Sequence, residues 1–349
     1  MFTSLKVNNF RCFQSFELQQ LGTINLLVGA NNSGKTSLLE AIQLLCSPRV
    51  FYSLQESMIL RGEYFFNTSK KTSNTLDINH LFYGHKFNLD GKILVEGRKD
   101  GTQKSLVVSI EKKDGKRPDL CFIRSEETDE IHKCKLSAYG GMLIDKIGEG
   151  LGTNLLRPFS LGINELTALF DEIVLTPEEI LATEALQIIE PKIERIASVG
   201  PDKYGKISTT PGQRGGFVVK FSDENKPIPI GNLGDGIWRI LAIILAIISC
   251  KDGVFLVDEI DSGLHHTAMS EMWQLIWKIA KKLNVQIFAT THSDDCWKSL
   301  KDVILEEKLT GENGSNEIRI HHIEKSKNQS VVFIEPEIVI ASREEIEVR

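Results

Sequence analysis

Eight residues near the start of the chain, Gly29-Ala-Asn-Asn-Ser-Gly34-Lys35-Thr36, fit the pattern G-x-x-x-x-G-K-[ST] of a phosphate-binding loop. Glycines at those two positions let the backbone fold back so that successive N–H groups face an anion. The helix that follows adds the partial positive charge of its N-terminus. Asn31, Asn32, Ser33, Gly34, Lys35, Thr36 and Ser37 are therefore candidate ligands of a triphosphate. Lys35 is expected to reach the β- and γ-phosphates, and the Thr36 hydroxyl to ligate Mg²⁺.

Downstream, Val254-Phe-Leu-Val257 is a short apolar run ending in Asp258-Glu259. Such a run is a strand buried on both faces, so its acids emerge at the carboxyl end, where ligands gather in doubly wound sheets. Asp258 is placed to hold Mg²⁺, and Glu259 to orient or deprotonate an attacking water. A second apolar run, Val285-Gln-Ile-Phe-Ala-Thr-Thr-His292, ends in a histidine that could donate a hydrogen bond to a γ-phosphate. Between loop and acids, Gly234-Asp235-Gly236 opens a long apolar helix and offers another anion-facing N-terminus.

These groups need elements to hold them. Residues 1–20 alternate like strands around Asn8-Asn-Phe-Arg-Cys-Phe13, and Ile24–Val28 reads as a strand feeding the glycine loop. The helix after the loop carries apolar residues at 38, 39, 42 and 45 and closes at Pro48. Residues 50–82 read as mixed helix and loop. From about 85 to 140 the period is two, broken at Asp90-Gly91 and Asp114-Gly115, which predicts an antiparallel sheet with hairpin turns. Residues 162–198 read as helical, with Thr176-Pro177-Glu178-Glu179 as a helix start. From 236 the chain alternates helix (236–250), strand (254–257), helix (267–283) and strand (285–290), an α/β pattern. The final 30 residues hold two short strands, with Glu335-Pro336-Glu337 as a surface turn.

Composition narrows the classes. The 349 residues are 41% hydrophobic and 25% charged, which excludes a disordered or rod-like chain. A formal charge of −6 argues against wrapping nucleic acid with the whole surface, so DNA or RNA would need a local patch such as Lys112-Lys113 and Lys116-Arg117. Six scattered cysteines without a C-x-x-C pair predict reduced thiols. The longest apolar run, Ile240–Ile248, is about half the ~20 residues that span a membrane. With no signal-peptide layout at the start, a cytoplasmic protein without membrane contact is expected. The pairs His265-His266 and His321-His322 lack ligand spacing for a metal beyond Mg²⁺.

Taken together, NNFRCF (8–13), GANNSGKTS (29–37), LGDGIWRI (233–240), VFLVDEIDSGLHH (254–266) and TTHS (290–293) resemble the ABC-type ATPase heads of the soluble group that holds the SMC, RecF and OLD-like AAA-family proteins. The resemblance implies an α/β P-loop NTPase fold, an ABC-ATPase-like head with an antiparallel β subdomain and a helical insertion. One domain over 1–349 is expected, divided into a P-loop lobe (1–50), the β subdomain (85–140), the helical insertion (160–200), the signature, Walker B and histidine-switch region (230–300) and C-terminal strands (301–349). It further implies a homodimer or higher homo-oligomer, two heads facing head to tail with ATP and Mg²⁺ between one chain's loop and the other's Gly234, Asp235 and Gly236. Arg11 matches an arginine that lies near nucleotide in relatives, and Asp261 falls in the D-loop that touches the opposing site.

The chain departs from that pattern. The signature serine is Gly234 and the glutamine is Ile237, so the contact across the dimer would rely on backbone N–H groups. No clear Q-loop glutamine follows the first helix; Gln55 is the candidate. After His292 no acidic cluster of a Toprim nuclease follows. The reading is a slow, partner-regulated ATPase whose ATP-linked dimer gates a separate nuclease or toxin-like effector in bacterial anti-phage defence. The alternative is a RecF-like ATP-dependent DNA-binding repair protein. A transporter subunit is disfavoured by the NFRCF start and the histidines after Asp261.

Overall fold

A computed structural model describes residues 1–48, 50–65, 75–86, 91–111, 119–126, 128–135, 153–157, 162–199, 216–224, 226–310 and 317–348. The elements in chain order are β1 (Phe2–Phe10), β2 (Phe13–Leu18), β3 (Ile24–Val28), α1 (Lys35–Cys46), α2 (Val50–Leu60), β4 (Tyr64–Phe65), β5 (Thr75–Leu76), β6 (Ile93–Lys99), β7 (Thr102–Glu111), β8 (Asp119–Glu126), β9 (Thr128–Lys135) and β10 (Thr153–Leu156). There follow α3 (Ile163–Ile173), α4 (Glu179–Gln187), β11 (Ile193–Ser198), β12 (Phe217–Phe221), β13 (Ile228–Pro229), α5 (Asp235–Ile248), β14 (Val254–Val257), α6 (Met269–Leu283), β15 (Gln286–Thr290), α7 (Asp294–Lys298), α8 (Leu300–Thr310), β16 (Ile318–His322), β17 (Val331–Ile334) and α9 (Glu335–Arg343).

The frame is a six-stranded sheet of order β10-β14-β15-β3-β16-β17. All neighbours in it run parallel except β16 and β17. Strand alternation sends its side chains to two cores. Ile24, Leu26 and Val28 of β3, with Phe255 and Val257 of β14, pack toward α5 and α6. Leu27, Val254, Leu256 and Phe288 point the other way, toward α1 and the second sheet. Burial on both faces is why these strands read as unbroken apolar runs. The loop before α1 and the acids after β14 consequently share the carboxyl edge of one sheet.

The second sheet is antiparallel, β2-β1-β6-β7-β8-β9. Strands of the expected β subdomain thus pair with the N-terminal strands, through β1 and β6, which unites β1 and β2 with β6–β9 in one layer. The hairpin tips Asp90-Gly91 and Asp114-Gly115 and the basic cluster at 112–117 lie wholly or partly outside the described residues.

Three local expectations are corrected. The segment 162–198 holds two helices but ends in strand β11, because Ile193 and Ile196 are buried where β11 pairs with β12. The helix expected from Thr176 begins at Glu179, and Thr176 Oγ1 accepts from the Glu178 N–H at 3.3 Å. Glu335-Pro336-Glu337 is the first turn of α9, with proline tolerated where the N–H has no helical partner. Glu335 is buried and accepts the N–H groups of Glu317 and Ile318.

His321 of β16 is fully buried, its imidazole between Ser330 Oγ (3.2 Å) and Asn25 Oδ1 (3.3 Å). Burial, aided by the Arg319 charge, lowers its pKa to about 3. Unfolded histidine binds a proton near pH 6.5, so the unfolded chain gains protons first as pH falls. The His321 contribution is complete above pH 6.5 and is lost progressively below it, by about 2 kcal/mol at pH 5. Urea denaturation between pH 7.5 and 5 should show that loss, and His321→Gln should flatten the slope while lowering stability at pH 7.5.

Candidate nucleotide site

The loop between β3 and α1 needs its second glycine. Gly34 has φ +105°, and a Cβ there would lie 2.3 Å from the Phe13 ring and 2.7 Å from Cys12 Sγ. The NFRCF segment therefore backs the loop from beneath. Asn31 and Asn32 are exposed at the rim, and Ser33 is buried with an Oγ that has no hydrogen-bond partner among the described residues. A buried hydroxyl left unsatisfied is costly, and an anion's oxygen in the loop would satisfy it.

Lys35 is also buried. Its Nζ donates to the carbonyls of Gly29 (2.6 Å) and Ala30 (2.9 Å), folding the ammonium over its own loop. Burial lowers its pKa to about 8, against the pull of Asp258 and Glu259, so it stays protonated at neutral pH. A phosphate would replace those two carbonyl acceptors with a charged one.

Thr36 and Asp258 meet at the sheet edge. The Thr36 hydroxyl lies 3.0 Å from Asp258 Oδ2 and 3.2 Å from Oδ1. This hydroxyl–carboxylate pair is a hard oxygen donor set, small enough in number to leave the remaining positions of an octahedral Mg²⁺ to water and phosphate. Asp258 Oδ1 also accepts from Thr290 Oγ1 at 2.6 Å, and Thr290 Oγ1 accepts from the Glu259 N–H at 2.8 Å. One threonine at the end of β15 thereby fixes both acids at the end of β14. Glu259 is exposed with φ +49°, a left-handed conformation unusual for its residue type.

His292 stands exposed beyond Thr291. Partial burial and the Lys35 ammonium lower its pKa, opposed by Glu259, Asp261 and Asp258, so the imidazole is neutral at pH 7 and keeps one N–H to donate. Thr291 Oγ1 donates to Asp261 Oδ1 at 2.6 Å, which ties the histidine strand to the turn after Glu259.

The Gly234–Gly236 turn lies against that same turn. A Cβ on Gly236 would sit 2.9 Å from the Gly263 carbonyl and close to Leu264, so the start of α5 and the D-loop form one continuous surface. Gly234 and Asp235 are exposed on it.

Two candidates point elsewhere. Arg11 is buried in an ionic cluster: its Nη1 pairs with Glu63 at 2.6 Å, Nη2 donates to Ser57 at 3.0 Å, and Nε lies 2.6 Å from Glu40 Oε2 without hydrogen-bond alignment. Ser37 turns its hydroxyl toward Arg61 (3.4 Å) and Cys12. Glu40 is the hub of this cluster. Burial would raise its pKa, but Arg11, Arg61 and Arg157 together hold it below the usual range.

Sequence reading missed several of these residues. Thr290 was visible only as part of TTHS. Arg157 directly follows β10, the strand beside β14, with Leu156 in register with Val257, so a basic residue stands at the sheet edge next to Asp258. Arg239 had one signal, as the lone charge in the apolar stretch 236–248.

Residues 1–140 match a family model described as AAA ATPase domain, and residues 149–295 match one described as AAA domain, putative AbiEii toxin, Type IV TA system. The chain is 22% identical to an ATP/GTP phosphatase of Helicobacter pylori over 343 residues, which cover 88% of this chain and 89% of that protein. It is 24% identical to the OLD nuclease of Thermus scotoductus, over 84% of this chain but 59% of the nuclease's length. Superposition on the solved SMC head domain from Thermotoga maritima covers 95% of this chain and 98% of that one, at 12% identity and a TM-score of 0.44.

Proposed function

We propose that this chain is an ATPase of the SMC/RecF/OLD-like AAA group and a nucleotide-gated head, two copies of which close head to tail on ATP and signal to a separate effector. One observation carries the reading: Lys35, Thr36, Asp258, Glu259 and His292 gather at one sheet edge, while Gly234–Gly236 packs against the D-loop. A second copy would bring its signature surface to the open side of the first copy's loop.

In this reading the loop N–H groups and Lys35 hold the β- and γ-phosphates, and Asn31, Asn32 and Ser33 shape the cradle. Thr36 and Asp258 would hold Mg²⁺, which when bound neutralises phosphate charge. Glu259 orients and deprotonates the attacking water. His292 donates its N–H to the γ-phosphate and registers its loss. The partner copy's Gly234, Asp235 and Gly236 present backbone N–H groups across the interface. Arg11 acts indirectly, by bracing α1 through Glu40. Kinship with an OLD nuclease and with a family described by a toxin–antitoxin system supports an anti-phage defence role with a nuclease or toxin-like effector.

The composite site is tested by mixing. Asp235→Arg, at the exposed helix start, and Lys35→Ala should each be inactive alone. An equimolar mixture should recover about a quarter of parental turnover, because half of randomly assorted dimers carry one site built from two undamaged halves. A mixture as inactive as its components would overturn the head-to-tail site. Salt-sensitive DNA binding by the chain alone would favour the repair-protein alternative.

A further inference from the structure

Arg239 is the only charge in α5 after Asp235, and it is buried. A buried guanidinium is expensive unless its donors are used. Its two terminal nitrogens donate to main-chain carbonyls, Nη1 to Arg157 at 2.8 Å and Nη2 to Asp258 at 2.9 Å and to Glu259 at 3.0 Å, while Nε is buried without a hydrogen-bond partner among the described residues. One planar fork therefore spans the carboxyl ends of the neighbouring strands β10 and β14. Burial lowers its pKa to about 10, which still leaves it charged at neutral pH.

The location matters in two ways. Arg239 sits one helical turn beyond Gly234–Gly236, on the helix that carries the signature surface. It also grips the Glu259 peptide, whose left-handed conformation is costly for a residue with a side chain and persists only where surroundings impose it. Besides Arg239, that peptide is held by Thr290 Oγ1 on its N–H and by the Ser262 N–H on its carbonyl. Of these three restraints, Arg239 alone comes from the helix that a partner copy would touch.

We propose that Arg239 is a positioning residue that carries the placement of the signature helix to Glu259. A shift of α5 moves the fork, the fork moves the Glu259 carbonyl, and the carboxylate changes its aim at the water. The proposal rests on the reading of Glu259 as the base, and it assigns Arg239 no contact with nucleotide.

The test compares Arg239→Met, Arg239→Lys, Glu259→Gln and the double variant Glu259→Gln/Arg239→Met. Steady-state turnover is measured beside affinity for a fluorescent ATP analogue. Arg239→Met should lose about 10- to 100-fold in kcat while affinity stays within about threefold. Arg239→Lys, which keeps the charge without the planar fork, should recover part of the loss. Adding Arg239→Met to Glu259→Gln should cost less than about twofold more, since both changes act on one step. Parental turnover in Arg239→Met, a matched loss of affinity and kcat, or losses that multiply in the double variant would overturn the proposal. Should Arg239→Met fail to fold, the kcat-to-affinity split of Arg239→Lys decides. Normal hydrolysis by Glu259→Gln would instead remove the underlying assignment of the base.

Discussion

Glu259→Gln should bind ATP as tightly as the parent chain, hydrolyse it about a thousandfold more slowly, and accumulate as an ATP-bound dimer. The amide keeps the size and the exposed position of the carboxylate, so the fold loses nothing. Its main-chain restraints, from Thr290, Ser262 and Arg239, do not involve the side chain that changes. What would disappear, under the proposed role of Glu259, is the proton acceptor for the attacking water. General-base contributions of 10²–10⁴ set the scale, roughly 3 to 5 kcal/mol of barrier. Single-turnover hydrolysis gives the rate, and light scattering after gel filtration with Mg²⁺–ATP gives the mass. Parental turnover would remove Glu259 as the base, and a mass that stays monomeric with ATP bound would remove the nucleotide-linked dimer.

Lys35→Ala should abolish nucleotide binding in the micromolar range. A buried ammonium held by two carbonyls at 2.6 and 2.9 Å would exchange them for phosphate oxygens on the proposed reading. A charge-assisted contact of this kind carries about 3 kcal/mol, more than two decades of affinity. The fold should tolerate the change, because the loss of two hydrogen bonds is offset by release of a buried charge. Titration with a fluorescent ATP analogue reads the affinity, and thermal denaturation without nucleotide checks the fold. Tight binding retained by the variant would discard the loop assignment.

Much of this architecture was legible in residue order. The apolar runs at 24–28, 254–257 and 285–290 announced strands, the one at 254–257 buried on both faces, and the structure pairs them in parallel with the glycine loop and acids at one edge. The helical reading of 162–198 failed at its end because the two buried isoleucines of β11 are three residues apart, a spacing that a helix face shares with an irregular edge strand. The Glu335 turn misled for a similar reason: proline beside acids marks both a surface turn and a helix start, and only the buried N–H groups of Glu317 and Ile318 choose between them.

Local spacing was enough to single out the loop, the two acids and the histidine as candidates, because each is a short run whose chemistry is set by adjacent residues. The contacts that join those runs are long-range. Arg239 grips carbonyls 82 and 20 residues away, Thr290 joins Asp258 across 32, and Arg11 is paired with Glu63 across 52. No period or motif encodes such pairings, since they follow from which strand ends the sheet sets side by side and from the need of every buried charge to find a partner there.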